Sequence, residues 1–211
     1  MTGAAWANGL DRKLRDQLAF LVEIDKLKNI VRQSPICDGS RPENVAEHTW
    51  HLAMFAVVLQ EWASMPVNIA RVVQMLLIHD LVEIDTGDVP VFEEQTRASV
   101  AKNEQTAADR VFGLLPNEQG ALLRELWREF EAAESPDARF AKALDRFQPI
   151  VLNMATNGGT WINANVDEAV ELRVSASIGS GSPMLWMAAQ AAFREAIGLG
   201  WLRSASESQY R

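Results

Sequence analysis

The sequence predicts an all-α protein, and three observations carry that prediction. Apolar residues recur every three or four positions through most of the 211 residues, the spacing of one helix face. No segment alternates convincingly with period two. Turn formers, among them Ser34-Pro35, Met65-Pro66, Pro116, Ser135-Pro136 and Asn157-Gly158-Gly159, divide the chain into pieces of helical length. With 48% hydrophobic residues the chain can bury a full core, most simply as one globular domain.

The first helix is expected over residues 10–31, with Leu10, Leu14, Leu18, Leu21, Ile24, Leu27 and Val31 on one face. It ends near Arg32, because Ser34-Pro35 and Asp38-Gly39-Ser40-Arg41-Pro42 cannot continue it, and a polar loop follows over residues 33–44. A second helix, 45–63, carries a stripe of His48, Leu52, Phe55, Leu59 and Trp62, which turns His48 inward near its start. His51, one turn on and slightly round the helix, reads as a packing residue. The third helix contains an almost unbroken apolar run with His79 and Asp80 in its middle, apolar nearly all round and so expected to be buried. Gly87 and Pro90 then force a turn that leaves Asp88 in a loop.

A more polar helix, 93–115, is expected to be half exposed; Glu104 with Lys102 could reach a site from it, but a solvated charged face explains them better. Another follows at 117–134, holding Leu122, Leu123, Leu126, Trp127 and Phe130. Ser135 as N-cap and Pro136 at the first helical position open a helix that runs to residue 155. Pro149 should kink it by removing a backbone donor. Asp145 sits on its apolar face among Phe140, Leu144, Phe147 and Val151. A short helix at 166–178, a Gly-Ser loop at 179–183 and a last helix at 184–197 complete the chain. Trp50, Trp161 and Trp186 are read as core or subunit-contact residues.

Burying His79 and Asp80 in such a run needs a physical reason. An ionised carboxylate there costs several kcal/mol unless it is paired, hydrogen-bonded or bound to metal, and histidine is the commonest metal ligand. His48, His79, Asp80 and Asp145, from three separate helices, are therefore candidates for one metal site, and Glu83 lies one turn beyond the His-Asp pair. Alternatives stand beside this: a structural hydrogen bond within the pair, and Asp145 as partner of Arg146. The net charge of −8 excludes the electrostatic footprint of a duplex nucleic-acid binder, which leaves a small substrate. Cys37 is the only cysteine, so no intrachain disulfide forms. The opening residues lack the apolar core of a secretory signal, and no run of about 18 apolar residues occurs. The expected location is cytoplasmic, without membrane contact.

The segments ENVAEHTWHLA around His48, LLIHDLVEIDTGDVP around His79 and Asp80, and KALDRFQPIV around Asp145 resemble the HD-domain phosphohydrolases. These are all-helical metal-dependent enzymes whose signature is a His, a His-Asp doublet and a distal Asp. The similarity covers roughly residues 18–165, with 166–203 a helical extension of the same domain, and is nearest to the single-domain branch that includes bacterial 5'-deoxynucleotidases. The resemblance implies that His48, His79, Asp80 and Asp145 ligate one divalent metal, Mn, Co, Fe or Zn, with Mg possible. It implies that Glu83 positions or deprotonates the attacking water, Asp88 orients the sugar or leaving oxygen, and Arg32 holds the phosphate. Arg32 as a helix-terminal cation and Asp88 as a turn residue are the structural alternatives.

The implied reaction is phosphate release from a nucleoside 5'-monophosphate, in a homodimer by analogy. Another nucleotide (di-, tri- or cyclic) and a non-catalytic metal- or nucleotide-binding module are the alternatives. A two-iron oxygenase needs more histidines than the three present. A bulky aromatic often follows the arginine in the deoxynucleotidases, where this chain has Gln33-Ser34.

Overall fold

The computed structural model describes residues 9–89 and 97–204. It is helical throughout except for one small hairpin. The first helix, α1 (Arg12–Ile24), is capped by Asp11, whose side chain accepts from the Lys13 and Leu14 amides. It tightens into a 3-10 turn at Asp25–Asn29 and stops well short of Val31. Ile30 and Val31, both β-branched, take extended backbone instead, and β1 (Val31–Pro35) pairs antiparallel with β2 (Pro42–Asn44). The expected polar loop is thus a hairpin, and Arg32 lies on a strand rather than at a helix end. Its period is two, with Arg32 and Ser34 turned inward and Val31 and Gln33 outward. The run is too short for that alternation to be read from sequence.

Helix α2 (Val45–Leu59) begins on a capping box. The Asn44 side chain accepts from the Glu47 amide, Glu47 accepts from the Asn44 amide, and Arg41 donates to both Glu47 oxygens at 2.7 Å. These bonds lock the start of α2 to the hairpin, so His48 enters the core one residue past the box. Of the predicted stripe, His48 and Leu52 are buried, whereas Trp62 is 41% exposed.

The apolar run forms α3 (Ile69–Ile78), then a 3-10 turn (His79–Val82), then the single-turn α4 (Glu83–Thr86). It is not buried all round: Leu77 is 45% exposed. Winding at three residues per turn puts Asp80 and Glu83 one above the other. Gly87, at φ +73°, ends the segment in a conformation that strains any other residue. The described part of the next helix, α5 (Arg97–Phe112), fits the reading; Pro90 and the expected start at 93–96 lie outside the described residues.

Helices α6 (Asn117–Ala132) and α7 (Pro136–Ala155) follow as expected, with Ser135 accepting from the Ala138 amide. Helix α7 runs through Pro149 without a break. It packs against α2, α3 and α6, and against the C-terminal elements α8 (Gly159–Asn163), α9 (Glu168–Ser175), α10 (Ile178–Gly181) and α11 (Pro183–Gly198). The predicted Gly-Ser loop is therefore partly helical. Gly181 explains why: a Cβ there would lie 2.2 Å from the Arg139 carbonyl oxygen, so only glycine lets α10 press onto α7. Phe112, Phe130, Phe140, Leu144, Ile150, Trp161 and Phe193 fill the core. Among the described residues no helix is long and apolar enough to cross a membrane.

Candidate metal centre and its cavity

Three elements converge on one point. His48 comes from α2, His79 and Asp80 from the 3-10 turn, and Asp145 from the middle of α7. Nε2 of His48 lies 3.3 Å from Asp145 Oδ1 and 3.9 Å from Asp80 Oδ2. Nε2 of His79 lies 3.1 Å from Asp80 Oδ1 and 3.6 Å from the same Asp145 oxygen. His48, His79 and Asp145 can each offer an atom within 4.8 Å of the others, and Asp80 closes the group from beside both rings.

The donor chemistry fits a cation. Nδ1 of His79 lies 2.9 Å from the Leu76 carbonyl, so it carries the proton and Nε2 presents a lone pair. That Nε2 is buried without a hydrogen-bond partner. On the other ring, Nδ1 of His48 faces Glu43 Oε1 at 3.4 Å and Nε2 is in hydrogen-bond contact with Asp145 Oδ1 at 3.3 Å. Two imidazole Nε2 atoms and two carboxylates thus face one another. Burial opposes a charge on His79, but the Asp80 charge and hydrogen bonds with Asp145 and Asp80 lift the ring to about 10. Burial likewise pushes Asp145 up, yet the bonds from His48 and His79 outweigh it and hold it well below the usual carboxylate range. Two histidines and two carboxylates suit a first-row divalent ion.

Supporting contacts orient this set. The Trp127 indole donates to the His79 carbonyl at 3.1 Å, and Phe130 packs on the His79 ring at 4.7 Å. Glu43 is 3% exposed, touches Arg32 at 3.3 Å as well as His48, and accepts from Gln148 at 3.1 Å. A carboxylate on the far nitrogen of a ligand histidine fixes its tautomer and basicity. Glu43→Ala is therefore expected to weaken divalent-metal binding by about 10–100-fold, read by titration of the metal-stripped protein; unchanged affinity would remove this role.

Sequence reading missed Glu43, since a hairpin residue has no periodicity to betray it. Gln148, three residues after Asp145 on the same face of α7, was within reach of the helical pattern. His51 stays outside the group, stacked edge-on against Phe55 and contacting Gln148.

The other predicted residues ring the same centre. Arg32 places Nη1 3.4 Å from Asp80 and 3.3 Å from Asp88. Burial, then the charges of Asp80 and Asp88, push Glu83 up to about 10, and one of its oxygens is buried without a partner. All these groups line a cavity of about 240 Å³ that also takes in Lys142, Arg146 and Glu104. Glu104 is half-buried and its carboxyl is raised by burial and by Glu131, which corrects its reading as a solvated residue. Lys102 is exposed, as expected.

An all-α bundle with two buried imidazoles and two carboxylates in a polar cavity defines a metal-dependent hydrolase. This chain belongs to the HD domain family, whose model matches residues 24–186. It is 48% identical to a predicted metal-dependent phosphohydrolase from Magnetospirillum magnetotacticum MS-1, with a TM-score of 0.86 over 90% of this chain and 95% of that one. The human 5'-deoxynucleotidase HDDC2 is 30% identical over 138 residues, 65% of this chain and 66% of that protein. Its Bos taurus counterpart is 30% identical over 141 residues, 66% and 67% of the two. The match thus spans about two thirds of these curated relatives.

Proposed function

We propose that this protein releases inorganic phosphate from a nucleoside 5'-monophosphate, with a deoxynucleotide as the first candidate. The observation that carries the reading is the facing of two imidazole nitrogens and two carboxylates, beside a guanidinium and in a polar cavity. The cavity, about 240 Å³, lies below the roughly 300–1,000 Å³ of drug-sized pockets. That favours one small phosphate ester over a triphosphate. The names of the deoxynucleotidase relatives support the same substrate class.

In this reading His48, His79, Asp80 and Asp145 hold one divalent ion, with Mn, Co, Fe or Zn ahead of Mg on ligand type. The ion, when bound, acidifies the attacking water and neutralises phosphoryl charge. Glu83, one turn beyond Asp80 with one buried oxygen that no described residue satisfies, accepts the water's proton. Arg32 directs its guanidinium at the phosphate, held in place by Glu43, Asp80 and Asp88. Asp88, turned inward by Gly87, orients the sugar or leaving oxygen.

The test is phosphate release from ribo- and deoxyribonucleoside monophosphates after the metal is stripped and Mn²⁺, Co²⁺, Fe²⁺, Zn²⁺ or Mg²⁺ is restored singly. Release that appears only with metal, and from monophosphates ahead of di-, tri- or cyclic nucleotides, is expected. Release from the longer nucleotides alone would overturn the substrate. We also assign the chain to one functional unit in the cytoplasm and to a homodimer. The dimer draws on the exposed Trp50, Met54, Val57 and Val58 on one side of α2; a monomer in sedimentation would overturn it.

A further inference from the structure

One wall of the cavity is not used by the chemistry above. Helix α7 carries Asp145 to the metal group and, eight residues later, Asn153 to the cavity's other end, about 12 Å away at 1.5 Å per residue. There Asn153 Oδ1 accepts from the Thr160 amide at 2.8 Å. Thr160 lines the cavity, and its side-chain oxygen is buried with no hydrogen-bond partner. Glu171 of α9 lines the same wall at 3% exposure. Its Oε2 accepts from the Trp161 indole at 3.1 Å and its Oε1 from Ser175 at 2.9 Å.

A carboxylate has about four acceptor positions, so two remain on Glu171. A carboxylate buried only to anchor Trp161 and Ser175 would carry a desolvation cost that a neutral glutamine avoids. Burial does raise the Glu171 carboxyl, against the two hydrogen bonds and the Arg146 charge. Thr160 and Glu171 line the same cavity as His79, Asp80 and Asp145, with Asn153, which holds Thr160, about 12 Å along α7 from Asp145.

We infer that Thr160 and Glu171 form the nucleobase subsite of this enzyme, Glu171 accepting an N–H of the base and the Thr160 hydroxyl completing its polar edge. The inference rests on the nucleotide reading and deepens it. Each common base presents an N–H on its Watson–Crick edge, the edge by which proteins read an unpaired base. Asn153 and Ser175 are positioning residues that hold Thr160 and Glu171.

The test compares a nucleotide with its abasic counterpart. Wild type, Glu171→Gln and Thr160→Val are assayed, with Mn²⁺ present, on the four deoxynucleoside monophosphates and on 2-deoxyribose 5-phosphate. The ratio of kcat/KM for the preferred nucleotide over the abasic phosphate is expected to fall about 10–100-fold in Glu171→Gln, through KM rather than kcat. Thr160→Val should lower it in the same direction. Calorimetric binding of the matching deoxynucleoside to the metal-free proteins makes the same comparison without turnover, and weaker binding by both variants is expected.

A ratio and a binding constant within twofold of wild type in both folded variants, or no binding of the nucleoside by wild type, would overturn the subsite. Wild-type hydrolysis of 2-deoxyribose 5-phosphate but of no nucleotide would instead overturn the nucleotide reading, so the two failures are told apart.

Discussion

Glu83→Gln should lower kcat roughly 10²–10⁴-fold, the range for loss of a positioned general base, while the protein keeps its metal. The carboxylate sits one 3-10 turn from Asp80, with a buried oxygen that no protein group satisfies. Its amide isostere fills the same volume, so packing of the cavity is retained. A base removed in this way slows the chemical step and leaves substrate binding nearly intact. The measurements are kcat and KM on the preferred monophosphate, with metal content by elemental analysis of the same preparation. Full activity would assign the proton to another group, and Asp88 would be next. Loss of metal together with activity would recast Glu83 as part of the ligand set.

The second large effect is at Asp145, the carboxylate that touches both imidazoles. Asp145→Ala should weaken metal binding by more than the about 10–100-fold that the loss of an outer partner costs, and phosphate release should fall with it. Metal that binds only the native state stabilises by about 2.7 kcal/mol at a hundred times its dissociation constant. Saturating Mn²⁺ should therefore raise the Tm of the stripped wild type and leave that of Asp145→Ala nearly still. A shift of equal size in both proteins would place the ion elsewhere. This thermal readout needs no turnover, so it tests the ligand set separately from the reaction.

Much of this site was legible before any fold. His79 and Asp80 stand in an apolar run where polar residues need partners, and His48 falls on a buried helical stripe, as burial confirms. Asp145 occupies a core position of α7. Periodicity could show each of these, because a helix repeats its faces every 3.6 residues. It failed where the local geometry is short or irregular. Arg32 was expected at a helix end and lies on a hairpin whose strands have only five and three residues, while Glu104, better explained from sequence as solvated, borders the cavity. Glu171 and Thr160 went unremarked, since neither sits in a motif.

The sequence by itself determined the all-α class, the order of the helices and a set of candidate metal ligands that the fold brings together. Local forces suffice for these: capping at Ser135, the apolar period and the exclusion of buried charge without a partner. Tertiary structure alone decided that Glu43 stands behind His48, that Arg32 is gripped by three carboxylates, and that α8 and α9 complete the cavity wall. Arg32 meets Asp80 and Asp88 from far along the chain, and Glu43 reaches His48 only because the hairpin folds back beside α2, so these partners are chosen by packing rather than by any pattern within a segment.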